Sequence, residues 1–421
     1  MEKIEITGEK PLEGKTFISG SKNAALPILA SCLLIDGKIE LSNLPELSDI
    51  DSMLKLLHFL NVSTYKKGRK YYIESFLIKQ REAPYDLVRK MRASFLVLGP
   101  LLAKYGEAKV SLPGGCAIGA RPVNIHLDGL KKLGVEFVMK DGYIYGSAKK
   151  GLVGKKITLS FPSVGATENI IMAASLANGV TTIRNAAQEP EIVDLSKFLN
   201  KTGAKISGYG EKEIKIKGVK KLHSASYSIM PDRIEAGTFA LAVLGCSGNV
   251  LLKNLNKDVI LHLSSIFKRI KELNITASKD FKQLRVIANS TNKKPIRLKT
   301  KTYPGFPTDL QAQLTAAFTI SNGESEITET IFENRFMHVQ ELLRMGAKIK
   351  QSGPIVKIFG QKKIFGAEVM ATDLRASVSL VLAALTVKGK SVINRIYHLD
   401  RGYENIEKKL KKVGANIRRL N

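Results

Sequence analysis

The feature that most constrains the fold of this chain is an internal repeat with a period of about 70 residues. Each copy holds an amphipathic segment of helical period that ends in Gly or Asn and runs into a short strand-like segment, as in LDGLKKLGVEFV and QELLRMGAKIKQ. Gly and Asn tolerate the left-handed backbone with which many helices end. The residues predicted to end these helices are Asn61, Gly134, Gly203, Asn274, Gly346 and Gly414.

A second segment alternates with the first. It is an Ala- and Leu-rich stretch of helical length, then a glycine, then a strand-like run, as in DRIEAGTFALAVLGCSGNVLLKN. Its closing glycines are Gly37, Gly106, Gly179, Gly248, Gly323 and Gly389. One helix of each repeat is apolar on nearly every side and is predicted to be buried, whereas the other faces water on one side. We therefore predict an inside-out α/β barrel architecture, with three repeats in each of two domains and the buried helices ringed by sheets and outer helices.

Cations recur at the starts of the predicted buried helices. Ser, Thr and Asp at such starts are ordinary N-caps and need no function. Lys22, Arg92, Arg233 and Arg375 differ, because a cation at a helix N-terminus opposes the helix dipole. For any single residue a structural role explains the position equally well. The whole set favours a shared cleft that binds anions.

Composition excludes several classes of protein. Three cysteines among 421 residues cannot form the disulfide framework of a secreted domain, so a reducing, cytoplasmic location is expected. The start of the chain has no apolar signal-peptide region, and the longest apolar run near it, residues 24–35, is too short to span a bilayer. We predict that this run is a buried helix and that no part of the chain inserts into a membrane.

The net charge of +28 raises the possibility of a nucleic-acid partner. The lysines are spread along the chain and are not interleaved with aromatic residues, so solvated surface and an anionic small-molecule substrate are favoured over nucleic acid. The sequence has no CxxC or HExxH motif, no phosphate-binding P-loop and no dinucleotide-binding glycine fingerprint. Neither a metal nor a nucleotide cofactor is therefore expected.

The three cysteines fall into two groups. Cys32 and Cys246 lie in apolar segments and are predicted to be inert core residues. Cys116 lies in the glycine-rich stretch SLPGGCAIGARPVNIH, where Arg121 and His126 would lower the pKa of its thiol. An incidental cysteine in a turn explains the stretch equally well. The local signatures of cysteine proteases are absent.

Ten motifs, in order along nearly the whole chain, carry a resemblance to a known family. They include SGSKNAALPILA, SLPGGCAIGARPVNIHLDGL, FPSVGATENI, YPGFPTDLQAQ, ENRFMHV and HLDRGYE. Together they resemble the enolpyruvyl transferases that act on UDP-N-acetylglucosamine in peptidoglycan precursor synthesis. The resemblance implies two similar domains of three βαβαββ units each, covering residues 1–20 plus 231–421 and residues 21–230. It also implies an active site between the two domains.

The family's reaction moves the enolpyruvyl group of phosphoenolpyruvate to the 3-hydroxyl of UDP-N-acetylglucosamine and releases phosphate, without a cofactor. The resemblance implies that Cys116 is the proton donor and can form a covalent pyruvyl adduct. Asp309 resembles the catalytic base, although PTDLQ also suits an N-cap. Residues implied to bind phosphoenolpyruvate are Lys22, Asn23, Arg121, Arg375 and Arg401. Lys22 and Arg401 also count among the implied catalytic residues.

The nucleotide-sugar site is implied by further matching positions. These are Arg92, Arg121, Pro122, Val123, Asn124, Ile125, Phe161, Pro162, Ser163, Val164, Asp309 and Ile331. Some family members have lysine where Ser48 and Phe161 stand here, so diphosphate binding is expected to rest more on backbone groups. The sister enzyme that makes enolpyruvylshikimate phosphate is the main alternative, and the loop around Cys116 argues against it.

Overall fold

The computed structural model describes residues 2–76, 78, 80–89, 91–112, 123–289 and 293–420. These residues form two compact units. One, called here the terminal unit, contains residues 2–19 and 231–420. The other, the middle unit, contains residues 20–112 and 123–230 within the described ranges.

The middle unit holds helices and strands in regular alternation. Its helices are α1 (Lys22–Ser31), α2 (Ser48–Phe59), α3 (Tyr85–Val88), α4 (Leu98–Tyr105), α5 (Asn124–Lys132), α6 (Val164–Ala174) and α7 (Pro190–Lys201). Its strands are β3 (Gly37–Ser42), β4 (Ser63–Lys67), β5 (Lys70–Ser75), β6 (Glu82–Ala83), β7 (Glu107–Ser111), β8 (Glu136–Lys140), β9 (Tyr143–Ser147), β10 (Lys156–Thr158), β11 (Val180–Arg184), β12 (Lys205–Ser207), β13 (Glu213–Lys217) and β14 (Ala225–Ser228). Short 3₁₀ turns cover Cys32–Leu34 and Arg92–Val97.

The terminal unit begins with β1 (Lys3–Thr7) and β2 (Leu12–Phe17). Its helices are α8 (Arg233–Cys246), α9 (Lys257–Phe267), α10 (Gln311–Phe318), α11 (His338–Arg344), α12 (Leu374–Thr386) and α13 (Ile406–Lys412). Its other strands are β15 (Gly248–Lys253), β16 (Asn274–Ala277), β17 (Gln283–Ala288), β18 (Arg297–Lys299), β19 (Glu324–Thr328), β20 (Lys348–Ser352), β21 (Ile355–Phe359), β22 (Glu368–Met370), β23 (Lys390–Asn394) and β24 (Asn416–Leu420). Two 3₁₀ turns cover Thr308–Leu310 and Ile396–His398.

The described residues form six four-stranded sheets with one shared pattern of strand pairing, one parallel pair and two antiparallel pairs. The sheet β10-β11-β13-β12 illustrates it: β10 and β11 are parallel, and both remaining pairs are antiparallel. The helix α6 connects the parallel strands and α7 follows them, so the order along the chain is βαβαββ. Parallel strands that follow each other along the chain need a crossover connection, which α6 supplies here. Every one of these sheets has two edge strands, so none closes into a barrel by itself.

Three sheets are completed by strands that are distant in sequence. β1, near the start of the chain, pairs with β23 and β24, and β2 pairs with β15. In the middle unit, β14 pairs with β3, although nearly the whole unit separates them along the chain. These pairings explain why the first and last segments of the chain fold together.

The centre of each unit is made of the Ala- and Leu-rich helices. α8, α10 and α12 pack on one another in the terminal unit, and α4 and α6 pack together in the middle unit. Small residues allow this close approach: a Cβ on Gly237 of α8 would lie 2.5 Å from Leu310 Cδ1. The predicted buried helix at residues 24–35 is confirmed, because every residue of this stretch, in α1 and the following 3₁₀ turn, is buried. No described helix is both long enough and apolar enough to cross a membrane.

The predicted helix ends are confirmed with one exception. Five of the six predicted stop residues, and all six glycines that close the apolar segments, have the positive φ of a left-handed backbone. Asn274 does not: α9 already ends at Phe267, and Asn274 is the first residue of β16. The amides of Ile270 and Leu273 donate to carbonyls three residues earlier, so tight turns lead into the strand without a left-handed residue.

Candidate active site

Lys22 is the first residue of α1 and is fixed by an ion pair. Ser21 caps the helix by accepting a hydrogen bond from the Ala24 amide, and the Lys22 ammonium lies 3.0 Å from Asp49 Oδ2. Asp49 lies in the first turn of α2, where a carboxylate also complements the helix dipole. The sequence had suggested no function for Asp49, because acidic residues are ordinary at such positions. Asn23 follows in the same turn of α1 and is half-buried.

The segment implied to bind the nucleotide sugar begins another helix of the middle unit. Ser163 is the N-cap of α6, and its hydroxyl accepts a hydrogen bond from the Ala166 amide at 3.4 Å. Pro162 and Val164 beside it are half-buried, whereas the Phe161 side chain is 43% exposed. The N-terminus of an α-helix presents unpaired amides and a positive dipole end, a combination that suits a phosphate group. At position 161 the ring adds no charge to this site.

His126 connects α5 to the core of the middle unit. Its Nδ1 lies 3.2 Å from the Asn169 side-chain nitrogen, which also donates to the Phe95 carbonyl. Asn169 therefore donates to Nδ1, and this assigns the ring proton to Nε2. Burial and then the nearby Arg92 guanidinium lower the pKa of His126 to about 3, so the ring is neutral at physiological pH. In this structure, then, His126 acts as a buried hydrogen-bond acceptor.

The low pKa of His126 predicts a specific loss of stability in acid. The unfolded chain takes up a proton here below pH 6.5, whereas the folded chain does so only near pH 3. Stability is therefore lost as the pH falls through this window, by about 1.4 kcal/mol per pH unit for this one group. Urea unfolding midpoints at pH 7 and pH 5 should show a shallower pH dependence for His126→Gln than for the wild type. The matched control is His58→Gln, which makes the same substitution at an exposed histidine. An unchanged slope for His126→Gln would contradict the prediction.

In the terminal unit, Asp309 is held between two arginines. Arg335 Nη2 donates to Oδ1 at 2.5 Å, and Arg375 Nη2 donates to Oδ2 at 3.0 Å. The arginine side chains are only 6% and 8% exposed, against 24% for the Asp309 side chain. One carboxylate faces two guanidinium groups, so the cluster keeps an excess positive charge next to a partly exposed carboxylate. This combination suits a reaction between an anionic ligand and a hydroxyl group that must lose its proton.

The alternative N-cap interpretation of Asp309 is wrong. Asp309 lies within the 3₁₀ turn Thr308–Leu310, and no side chain caps that turn or the helix α10 that follows it. Both carboxylate oxygens are occupied by the arginines instead. Arg335 was not singled out in the sequence, although it lies in one of the family motifs, ENRFMHV.

Hydrogen bonds hold both the backbone amide and the guanidinium group of Arg375. Asp373 caps α12 by accepting hydrogen bonds from the Arg375 and Ala376 amides, which fixes the backbone from which the side chain extends. Burial by itself would lower the pKa of Arg375, but the charge of Asp309 and the contact with Tyr403 outweigh it and raise the pKa. Arg375 thus stays a cation although it is almost completely buried.

A buried carboxylate fixes the segment that contains Ile331. Glu329 accepts hydrogen bonds from the Ile331 amide and from the Thr308 hydroxyl, at 2.7 Å and 2.8 Å. Thr308 directly precedes Asp309, so this single side chain fixes the position of Ile331 relative to the Asp309 turn. Glu329 could not be found from the sequence, because two of its partners, the hydroxyl groups of Thr300 and Thr308, lie 29 and 21 residues before it along the chain.

The remaining predicted residues differ in their burial and in the unit to which they belong. Arg401 is half-buried and close enough to His398 to contribute, after burial, to the lowered pKa of that ring. Val123 is buried, Ile125 is half-buried and Asn124 is exposed at the start of α5. Cys116, Arg121 and Pro122 lie outside the described residues. Lys22, Asn23, Arg92, Ser163 and their neighbours belong to the middle unit, whereas Asp309, Ile331, Arg375 and Arg401 belong to the terminal unit.

Comparison with known proteins identifies the family. The family model described as EPSP synthase (3-phosphoshikimate 1-carboxyvinyltransferase) matches residues 6–410. The chain belongs to the enolpyruvyl transferase family. A Pelagibacter ubique protein named UDP-N-acetylglucosamine 1-carboxyvinyltransferase is 52% identical over 421 residues, which cover both chains completely. An Endomicrobium trichonymphae protein of the same name is 51% identical over 99% of each chain.

Solved structures support the same fold at much lower identity. The enolpyruvyl transferase NikO from Streptomyces tendae superposes with a TM-score of 0.88 at 23% identity, over 100% of this chain and 99% of that one. EPSP synthase from Acinetobacter baumannii superposes with a TM-score of 0.76 at 17% identity, over both complete chains. The predicted enolpyruvyl transferase fold is thereby confirmed.

Proposed function

We propose that this chain transfers the enolpyruvyl group of phosphoenolpyruvate to the 3-hydroxyl of UDP-N-acetylglucosamine and releases phosphate. The observation that carries this proposal is the identity of about half of all residues, over the full length, to proteins named UDP-N-acetylglucosamine 1-carboxyvinyltransferase. The Asp309 cluster supports it chemically, because a carboxylate between two guanidinium groups combines a base with sites for anionic groups.

The reaction proceeds by addition and then elimination. Asp309 accepts the proton of the sugar hydroxyl as its oxygen bonds to C2 of phosphoenolpyruvate, and Cys116 gives a proton to the methylene carbon. In the elimination, the new methyl group of the tetrahedral intermediate returns a proton to the Cys116 thiolate as the bond between C2 and phosphate breaks, which restores the double bond. Phosphate leaves as hydrogenphosphate with the proton that Asp309 had accepted, so both residues return to their starting states. No oxidant or cofactor is needed, because the transferred carbon skeleton undergoes no net redox change.

Cations hold phosphoenolpyruvate during these steps. Lys22, Arg121 and Arg401 bind its phosphate, and Arg375 and Arg401 bind its carboxylate, a task that suits the bidentate geometry of guanidinium. The ion pair between Lys22 and Asp49 holds the ammonium at the start of α1 before substrate binds. Asn23 contributes a neutral contact beside Lys22.

UDP-N-acetylglucosamine binds through the start of α6 and the segments around it. Ser163 and the first amides of α6 meet the diphosphate, and Phe161 to Val164 line the nucleotide. Arg92, Arg121 to Ile125 and Ile331 complete the proposed contacts. Since Ser48 and Phe161 supply no ammonium groups, the helix terminus carries more of the diphosphate binding than in family members with lysine at these positions.

The proposed reaction places the protein among the cytoplasmic enzymes that make peptidoglycan precursors. Its partners are then the two small-molecule substrates, and its activity supports cell-wall growth, cell shape and division. Cys116 also forms a covalent pyruvyl adduct, which lies outside this sequence of addition and elimination.

Measurement of phosphate release tests the proposal against its main alternative. The enzyme is incubated with phosphoenolpyruvate and either UDP-N-acetylglucosamine or shikimate 3-phosphate, with a control that lacks an acceptor. We expect release only with UDP-N-acetylglucosamine. Release with shikimate 3-phosphate alone would favour the sister enzyme, and no release with either acceptor would refute both functions.

A further inference from the structure

A buried tyrosine lies directly behind the Asp309 cluster. Tyr403 is 1% exposed and belongs to the motif HLDRGYE, from which no role was predicted for it. Its hydroxyl lies 2.9 Å from Thr238 Oγ1, 3.2 Å from Gln313 Nε2 and 3.2 Å from Arg375 Nη1. A buried hydroxyl therefore contacts the same guanidinium group whose other nitrogen pairs with Asp309.

The hydrogen bonds of this hydroxyl can be assigned from the chemistry of its partners. Arg375 Nη1 can only donate, so the Tyr403 oxygen accepts from it. Gln313 Nε2 has two hydrogens, and one of them goes to the Asp309 carbonyl. The other is shared between the oxygens of Thr238 and Tyr403. The tyrosine proton is then left to Thr238 Oγ1, which is an acceptor at 2.9 Å. The hydroxyl thus has a charged donor to its oxygen and an acceptor for its proton, which together fix its orientation.

The same network also reaches the backbone of Asp309. Gln313 Nε2 donates to the Asp309 carbonyl at 2.8 Å and lies 3.1 Å from Thr238 Oγ1. The Arg375–Asp309 ion pair is thus tied to Tyr403 at both ends, directly at the guanidinium and through Gln313 at the carbonyl. Without this support, the long Arg375 side chain would be held in place mainly by Asp309.

We propose that Tyr403 is a positioning residue that fixes the Arg375 guanidinium for the carboxylate of phosphoenolpyruvate. This inference rests on the proposed function. Burial raises the pKa of the Tyr403 hydroxyl, which therefore stays protonated and does not serve as a base. Its role is to hold the Arg375 guanidinium so that little side-chain freedom remains to be lost when the anion binds.

Tyr403→Phe removes the hydroxyl and keeps the ring, whose centroid lies 5.8 Å from Arg375 Cζ. Steady-state phosphate release should show a KM for phosphoenolpyruvate raised roughly 10- to 100-fold, because a hydrogen bond to a buried charged group is lost. The KM for UDP-N-acetylglucosamine should stay within about twofold of the wild-type value. A merely structural role would change both constants together or only lower the amount of folded protein.

Tyr227→Phe is the matched control. Its hydroxyl also contacts a charged partner, Asp194 Oδ1 at 2.7 Å, but it belongs to the middle unit, whereas the Asp309 cluster belongs to the terminal unit. It should leave both KM values unchanged. If Tyr227→Phe raised the KM for phosphoenolpyruvate as much as Tyr403→Phe does, the positioning role would be refuted.

A double-mutant cycle tests whether Tyr403 acts through Arg375. Arg375→Lys keeps a positive charge but lacks the second nitrogen that contacts the tyrosine. In single-turnover experiments, which give a rate even for slow variants, Tyr403→Phe should have little further effect in the Arg375→Lys background. Equal effects in both backgrounds would overturn the inference. Wild-type turnover in the same assay separates the two proposals: if the wild type is active and Tyr403→Phe behaves like it, only the inference on Tyr403 fails.

Discussion

Asp309→Asn is expected to lower kcat by about a thousandfold, within the range that a positioned general base contributes. An amide cannot take the proton of the sugar hydroxyl. The variant should still bind UDP-N-acetylglucosamine with affinity close to that of the wild type, because the proposed contacts to the diphosphate lie in the middle unit. Phosphate-release kinetics and a direct binding measurement with UDP-N-acetylglucosamine check the two parts of the prediction.

The same substitution should also destabilise the terminal unit. Asp309 is the carboxylate partner of both Arg335 and Arg375, which are almost completely buried. Removal of one partner from a buried ion pair typically costs about 3–5 kcal/mol. We therefore expect a lower thermal unfolding midpoint for the variant, partly restored by phosphoenolpyruvate, since the bound anion supplies the missing negative charge.

Glu5→Gln is the control for Asp309→Asn. Glu5 is also a carboxylate between two cations, Lys390 and Arg418. It lies on the strand β1, which contains none of the predicted site residues. Its loss should lower stability and leave kcat unchanged. A kcat for Asp309→Asn within tenfold of the wild-type value would rule out Asp309 as the base.

The second large effect concerns the three thiols. The epoxide fosfomycin is expected to alkylate Cys116 alone and to abolish activity, with faster reaction when UDP-N-acetylglucosamine is bound. Burial raises the pKa of the Cys32 thiol far above its ordinary value, and it raises the pKa of Cys246 to about 12. Neither thiol is appreciably ionised at neutral pH, and the thiolate is the form that attacks an epoxide.

Intact-protein mass spectrometry should show a single adduct, and peptide mapping should place it on Cys116. Cys116→Asp should lose the adduct but keep measurable turnover, because a carboxylic acid can still give a proton to the methylene carbon. An adduct on Cys32 or Cys246 would contradict the assignment. Complete loss of turnover in Cys116→Asp would contradict the proton-donor role.

The repeat architecture could be predicted because its signals are local. Period, apolar content and the Gly or Asn at a helix end are properties of about ten consecutive residues, and the structure has left-handed residues at Asn61 and Gly134 as expected. The prediction that a helix ends at Asn274 was wrong, because tight turns after α9 reach the next strand without a left-handed residue. Chain termini that complete distant sheets, such as β1 beside β23, produce no local signal at all.

By itself, the sequence determined which segments are buried, where most helices end, and which cations stand at helix starts, since each of these depends on neighbouring residues. The tertiary structure alone decided the partners: Asp49 for Lys22, Arg335 and Arg375 for Asp309, and Tyr403 for Arg375. These contacts join residues that lie 26 to 66 positions apart along the chain. Their geometry exists only after the sheets and buried helices have packed, so the local pattern that predicted the fold could not predict the ion pairs within the site.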